Sequence, residues 1–193
     1  DVWIQPAAGD AGGALGAAYA VWHQYLEKPR PEPVGDAMAG SFLGPSFSDA
    51  AIKSFLNENG YPYESLDEEE LISCVAGHLA SQEVVGWFQG RMEFGPRALG
   101  GRSILGDARS PSMQSVMNLK IKYREGFRPF APSVLVEDVE DWFELDRPSP
   151  YMLLVADVAS SKRKELDDGE RSLVGLDLLK VARSTIPAVT HVD

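Results

Sequence analysis

Apolar and polar positions along the chain change period several times, and the changes mark its elements. An extended start, Val2-Trp3-Ile4, runs into a glycine-rich turn, Ala8-Gly9-Asp10-Ala11-Gly12-Gly13, and a helix is predicted from about Ala14 to Leu26. Pro29, Pro31 and Pro33 mark a linker after it, because each removes a backbone donor and biases its predecessor away from helix. Ser48 is placed as the N-cap of a second helix, with Ala51, Ile52, Phe55 and Leu56 on its buried stripe and Gly60 beyond its end. Asp67 opens a third, in which Leu71, Cys74, Val75 and Leu79 recur at helical spacing. That pattern reads Cys74, and His78 beside it, as core packing rather than chemistry.

Val84-Val85-Gly86-Trp87-Phe88 reads as a buried strand leading through Gln89-Gly90 into a long polar motif. Ser110-Pro111 starts a short helix carrying Met113, Val116 and Met117. From Lys120 to Arg124 the cations alternate, so an extended segment would put all three on one face, while a helix would bring together Lys120 and Arg124. Ser133–Val136 and Tyr151–Val158 are predicted strands, separated by a helical turn around Val139 to Phe143, and Ser160 to Arg171 is predicted as loop. Helices interleaved with strands imply an α/β (α+β) sandwich of sheet and helices.

Composition narrows the function. With 193 residues, 44% of them apolar and 24% charged, the chain can bury one substantial core and is not predominantly disordered. A single cysteine excludes an internal disulfide, which fits a reducing cytoplasm, and no apolar run reaches the roughly 18–20 residues that span a bilayer. The acidic start at Asp1 matches neither a signal nor a transit peptide. Net charge is −11, yet residues 91 to 128 hold eight cations against Glu93, Asp107 and Glu125, which is +5 there and −16 elsewhere. The acidic remainder opposes a long polyanion or an anionic membrane, whereas a local basic island suits a small anion such as phosphate.

Two motifs carry candidate chemistry. Glycines ahead of a helix, Gly9 to Gly16, can admit a phosphate to free N–H groups or simply let helix pack on its neighbours, and packing is the favoured reading. The second motif is Gly90-Arg91-Met92-Glu93-Phe94-Gly95-Pro96-Arg97-Ala98-Leu99-Gly100-Gly101-Arg102-Ser103-Ile104-Leu105, followed by Asn118-Leu119-Lys120-Ile121-Lys122-Tyr123-Arg124-Glu125-Gly126-Phe127-Arg128-Pro129-Phe130-Ala131-Pro132. Arg97 ranks first as a phosphate fork, since Gly95-Pro96 and Gly100-Gly101 flank it with small, constrained residues. Lys122 and Arg128 follow, then Arg102 and Arg124. Phe127 and Phe130 are expected to wall a pocket against water, and Arg91 and Arg109 to pair with Glu93 and Asp107.

The second motif closely resembles the C-terminal domain of the O-carbamoyltransferase family, which includes nodulation-factor and antibiotic carbamoyltransferases, and Gln5 to Gly12 resembles the tail of that family's N-terminal catalytic domain. The resemblance implies that residues 1–34 are a remnant of an actin/Hsp70-like transferase domain plus linker. Residues 35–193 would then be a YrdC-like domain, a twisted sheet with flanking helices and a concave basic face. It also implies that this is a piece of a longer protein, and that the family usually continues beyond Thr190-His191-Val192-Asp193. Family members use carbamoyl phosphate and ATP, with Mg2+, to make carbamoyl adenylate, and the N-terminal domain passes the carbamoyl group to a hydroxyl acceptor. Arg97, Lys122 and Arg128 are then the expected catalytic residues, with Arg102, Arg124 and Met152 completing the carbamoyl phosphate and ATP site. Met152, opening a strand, would touch adenine or else pack as core. Asp10 corresponds to a metal-ligand aspartate of the transferase domain, but its histidine partners are missing, so no transition metal is expected on this chain alone. Two other readings stay open: an RNA- or anion-binding module, suggested by Tyr123, Phe127 and Phe130 among the cations, and a catalytically silent docking lobe.

Overall fold

The computed structural model describes residues 4–32 and 35–189. Val2, Trp3, Pro33 and the segment 190–193 singled out above lie outside the described residues. The chain divides into two compact units, one of residues 1–66, 86–103 and 150–153, the other of 67–85, 104–149 and 154–193.

Helix α1 spans Asp10–Ala20 and continues as a π-helical stretch, Val21–Tyr25. It begins four residues ahead of the predicted start because the glycines form its first turn rather than precede it. The Gly12 N–H reaches the Ala7 carbonyl at 2.8 Å, and a Cβ on Gly12 would sit 2.4 Å from that oxygen. Packing therefore accounts for this glycine. Helix α2 (Asp49–Glu58) is capped by the Ser48 hydroxyl, which accepts from the Ala51 N–H at 3.3 Å, and Gly60 follows with φ +67°. Helix α3 (Glu68–Ala80) has the reciprocal cap of Asp67 and Glu70. The caps agree with the sequence; the buried stripes do not. Ile52 and Phe55 on α2, and Leu71, Ile72 and Cys74 on α3, are exposed. His78 is exposed too, 2.8 Å from Glu83.

Strands β1 (Val85–Phe88) and β2 (Arg102–Leu105) pair as an antiparallel two-stranded sheet, and the Gln89 N–H extends the ladder to the Gly101 carbonyl at 3.0 Å. The class is mixed helix and sheet, as predicted. Helix α4 (Met113–Val116) runs into a π-helical turn, Met117–Ile121; α5 is Val139–Trp142 and α6 is Asp168–Arg171. The polar stretch read as loop thus holds α6, capped by Asp167 and Glu170, and a 3-10 turn at Ser160–Lys162.

Neither Ser133–Val136 nor Tyr151–Val158 forms a strand. Val158 makes one isolated bridge to Phe143, and Leu135, Val136 and Val155 are exposed, so β-propensity there finds no neighbouring strand to pair with. Met152 breaks the extension outright with φ +53°. In the second unit the core is Met113, Met117 and Ala188, with Val84, Ile104 and Phe130 packed against it. Met113 is 2% exposed. Met113→Ala is expected to destabilise the protein by about 2–5 kcal/mol, read as a lower urea midpoint at unchanged slope.

Candidate functional site

The motif between β1 and β2 belongs to the first unit and is organised around one acid. The Glu93 side chain is fully buried. Its Oε1 accepts the N–H groups of Leu99 and Gly101 at 2.6 and 2.7 Å, and its Oε2 accepts Arg102 Nε at 3.1 Å. Arg102 Nη2 donates onward to the carbonyls of Glu93 and Gly95. Burial raises the Glu93 pKa, but these donors outweigh it and hold the carboxyl below the ordinary range. The expected pairing of Arg91 with Glu93 is therefore replaced: Arg102 takes the acid, and Arg91 donates to the Leu43 carbonyl at 3.3 Å. Arg109 does pair with Asp107, at 2.7 Å.

This clamp closes residues 93–102 into a loop with Arg97 at its outer turn. Gly95, at φ +102°, lies against Ala7, where a Cβ would come within 2.6 Å of the Ala7 Cβ. Arg97 is exposed, and among the described residues its guanidinium makes no hydrogen bond or ion pair. It borders a crevice of about 20 Å³ shared with Pro6, Ser41, Phe94, Leu99 and Tyr151, room for a single water-sized group. Met152, expected beside a nucleotide, is exposed in this same unit next to Tyr151.

The second unit fixes its own part of the motif with a neutral amide. Asn118 is 0% exposed; its Nδ2 donates to the carbonyls of Arg128 at 2.8 Å and Gly126 at 3.3 Å, and its Oδ1 accepts Arg124 Nε at 2.7 Å. Gln114 Nε2 supports the same Arg128 carbonyl at 3.2 Å. Arg124 also lies 4.9 Å from the Phe130 ring centre. Lys120, Lys122 and Arg124 consequently share no face, because the π turn and the left-handed Tyr123 (φ +50°) turn Arg124 inward. Lys120 and Lys122 are exposed without a protein partner among the described residues. The exposed Arg128 is held by Glu125 at 2.8 Å, which raises the guanidinium pKa and lowers that of the carboxyl. Phe127 is exposed and Phe130 belongs to the methionine core, so these rings do not jointly wall a pocket.

Residues 76–193 match the family model described as Carbamoyltransferase C-terminus. The chain belongs to the carbamoyltransferase family. It is 60% identical over its whole length to the uncharacterized protein sll1178 of Synechocystis, covering 32% of that protein. It is 43% identical, again over the whole chain, to the nodulation protein NolNO of Sinorhizobium fredii, of which it covers 25%. To the nodulation protein NolO of Bradyrhizobium diazoefficiens it is 40% identical over 97% of this chain and 34% of that protein. The chain thus spans about a quarter to a third of the length of these relatives. Among the described residues no helix is long and apolar enough to cross a membrane.

Asp10 is exposed in the first turn of α1, where a carboxylate favours the helix dipole. Among the described residues no three His, Cys, Asp or Glu side chains come together to hold a metal. Sequence reasoning gave Glu93 only a surface pairing with Arg91 and assigned no role to Gln114 or Asn118, yet all three shape the loops. The available signal was a lone acid inside a run of cations and glycines, and two amides on the helix that carries Met113 and Met117.

Glu93 supplies a test. Its folded pKa lies below the unfolded value of about 4.5, so its contribution is complete above that pH and is lost as pH falls through the folded value. Glu93→Gln is expected to cost about 1.5–3 kcal/mol at neutral pH. In urea melts across the acid range, the difference from wild type should shrink below about pH 4.5.

Proposed function

We propose that this chain is the carbamoyl phosphate- and ATP-binding portion of a carbamoyltransferase that works through carbamoyl adenylate. Water splits carbamoyl phosphate into carbamate and phosphate; a carbamate oxygen attacks the α-phosphorus of ATP and pyrophosphate leaves. A hydroxyl acceptor then attacks the carbamoyl carbon and AMP departs. We place the transfer step in the rest of the protein, including the domain whose tail residues 1–34 resemble. ATP arrives with Mg2+.

Such chemistry brings anionic oxygens together, so the protein's task is to neutralise and position them. The observation that carries the reading is the division of labour among the motif's cations. Arg102, Arg109 and Arg124 are committed to protein partners, while Arg97, Lys120 and Lys122 are left without one among the described residues. Arg97 stands on the loop that buried Glu93 closes, and Lys120 and Lys122 follow buried Asn118, whose amide ties down the carbonyls of Gly126 and Arg128. A forked guanidinium at Arg97 suits two oxygens of one phosphate, and an ammonium at Lys122 acts as a point charge. Arg128 adds a further guanidinium in the second unit, oriented by Glu125. Arg102 and Arg124 act as positioning residues, and Met152 offers an exposed thioether to an adenine ring.

Calorimetric titration of the protein that carries this chain tests the two units separately. Arg97→Ala and Lys122→Ala are each expected to weaken carbamoyl phosphate or ATP binding by roughly tenfold to a hundredfold. Melting temperatures should stay unchanged, since neither side chain has a protein partner among the described residues. Unaltered affinity for both ligands in both variants refutes the assignment.

A further inference from the structure

Arg97 and Met152 come from distant parts of the sequence, yet both fall in the first unit. Chain continuity does not put Met152 there. Residues 150–153 belong to the first unit, while the segments on either side, 104–149 and 154–193, belong to the second. Something must hold so short a piece. Among the described residues, the Tyr151 hydroxyl makes the two hydrogen bonds that reach from it into the rest of its unit: it donates to Asp36 Oδ2 and accepts the Gly40 N–H at 3.1 Å.

Those bonds end on a strap, residues 36–45, that is also tied to the Arg97 loop. The Ser41 carbonyl accepts the Phe94 N–H at 2.6 Å. The Gly44 N–H reaches the Met92 carbonyl, and the Met92 N–H the Pro45 carbonyl, each at 2.9 Å. Phe94 lies in the stretch that Glu93 closes into a loop. One strap is thus hydrogen-bonded to both segments that carry the candidate ATP contacts, and Tyr151 borders the same small crevice as Arg97.

The backbone is strained where these segments meet. Ala39, Gly40 and Ser41 are left-handed in succession, with φ of +47°, +67° and +69°, and Met152 is left-handed at +53°. Three of these four residues carry side chains, for which that conformation is unfavourable. Such strain persists only where the surroundings over-determine it, and it gathers at ligand clamps. Asp36 does the determining: its carboxylate accepts the N–H groups of Met38 and Gly40, each at 3.0 Å, besides the Tyr151 hydroxyl. Burial and the neighbouring Asp36 push the Tyr151 phenol up, so it keeps a proton to donate at neutral pH. Asp36 is itself exposed and no apolar core residue takes part, so the clasp acts on placement rather than on the core.

We propose that Asp36 and Tyr151 are positioning residues for ATP: their clasp holds Met152 for the base, and the strap sets it in register with Arg97 at the phosphates. This rests on the reading of Arg97 and Met152 as ATP contacts. Neither Asp36 nor Tyr151 touches the nucleotide in this arrangement. Their removal therefore acts through Met152 and the base, and leaves the hold of Arg97 on the phosphates intact.

The test titrates the full-length protein, in Mg2+, with ATP and with inorganic tripolyphosphate, which carries the phosphates without the base. Met152→Ala and Tyr151→Phe are each expected to weaken ATP binding roughly threefold to tenfold and to leave tripolyphosphate binding unchanged. Asp36→Asn should follow the same pattern, because an amide has one oxygen where the carboxylate uses two. Unchanged tripolyphosphate affinity also reports that each variant is folded. In the Met152→Ala background Tyr151→Phe should have no further effect, since the two act through one contact. Tyr151→Phe that weakens both ligands alike, adds to Met152→Ala, or leaves ATP binding intact while Met152→Ala weakens it overturns the positioning role and leaves the Met152 contact standing. Met152→Ala binding ATP as tightly as wild type overturns both.

Discussion

A carboxylate taken wholly out of water must be surrounded by donors, and the first unit's motif is arranged around satisfying Glu93. Its two oxygens collect the Leu99 and Gly101 amides and the Arg102 guanidinium, and Arg102 binds back to the chain at Gly95. Ten residues are drawn into a closed loop by a single side chain. Were the acid paired instead with a free-standing arginine, the loop would have no reason to turn where it does. Because Arg102 absorbs the negative charge, Arg97 is left without a protein partner among the described residues. The buried ion pair serves placement, since such pairs seldom add net stability over apolar packing, though breaking one is costly.

The second unit solves the same problem with less charge. Asn118 is neutral, so burying it carries a smaller desolvation penalty, and its amide can donate to two carbonyls while accepting from Arg124. The carbonyl of Arg128 is held from two sides by amides, leaving its side chain outward. In both units buried polar anchors fix backbone, and exposed cations are the output. The neighbouring methionines add a surface that conforms to irregular packing.

Local signals were legible and tertiary ones were not. Ser48 and Asp67 were readable as caps because capping needs only residues within three positions. The strand at Val85–Phe88 and the short helix carrying Met113 and Met117 were visible for the same reason. Tyr151–Val158 reads as strand by composition, yet pairing requires a neighbour elsewhere in the chain, and a hydroxyl bond from Tyr151 to Asp36, 115 residues away, sets the local backbone instead. The apolar positions of α2 and α3 were assigned to a core on periodicity, which identifies an amphipathic face but not what covers it. Within the site, residue type ranked the cations, and only geometry separated the partnered arginines from the free ones. The left-handed turn at Ala39–Ser41 left no trace, because nothing in Ala-Gly-Ser demands it.

The π turn at Met117–Ile121 has one more consequence. Such a turn is an α-helix holding one residue too many, and here the Lys122 N–H reaches back five positions to the Met117 carbonyl at 2.9 Å. Deleting a single residue would restore the ordinary ladder and swing everything downstream by about 100° around the helix axis. Lys122 would then point elsewhere without any change in its identity. The interval between Met113 and Arg128 is therefore constrained in its length as well as its letters.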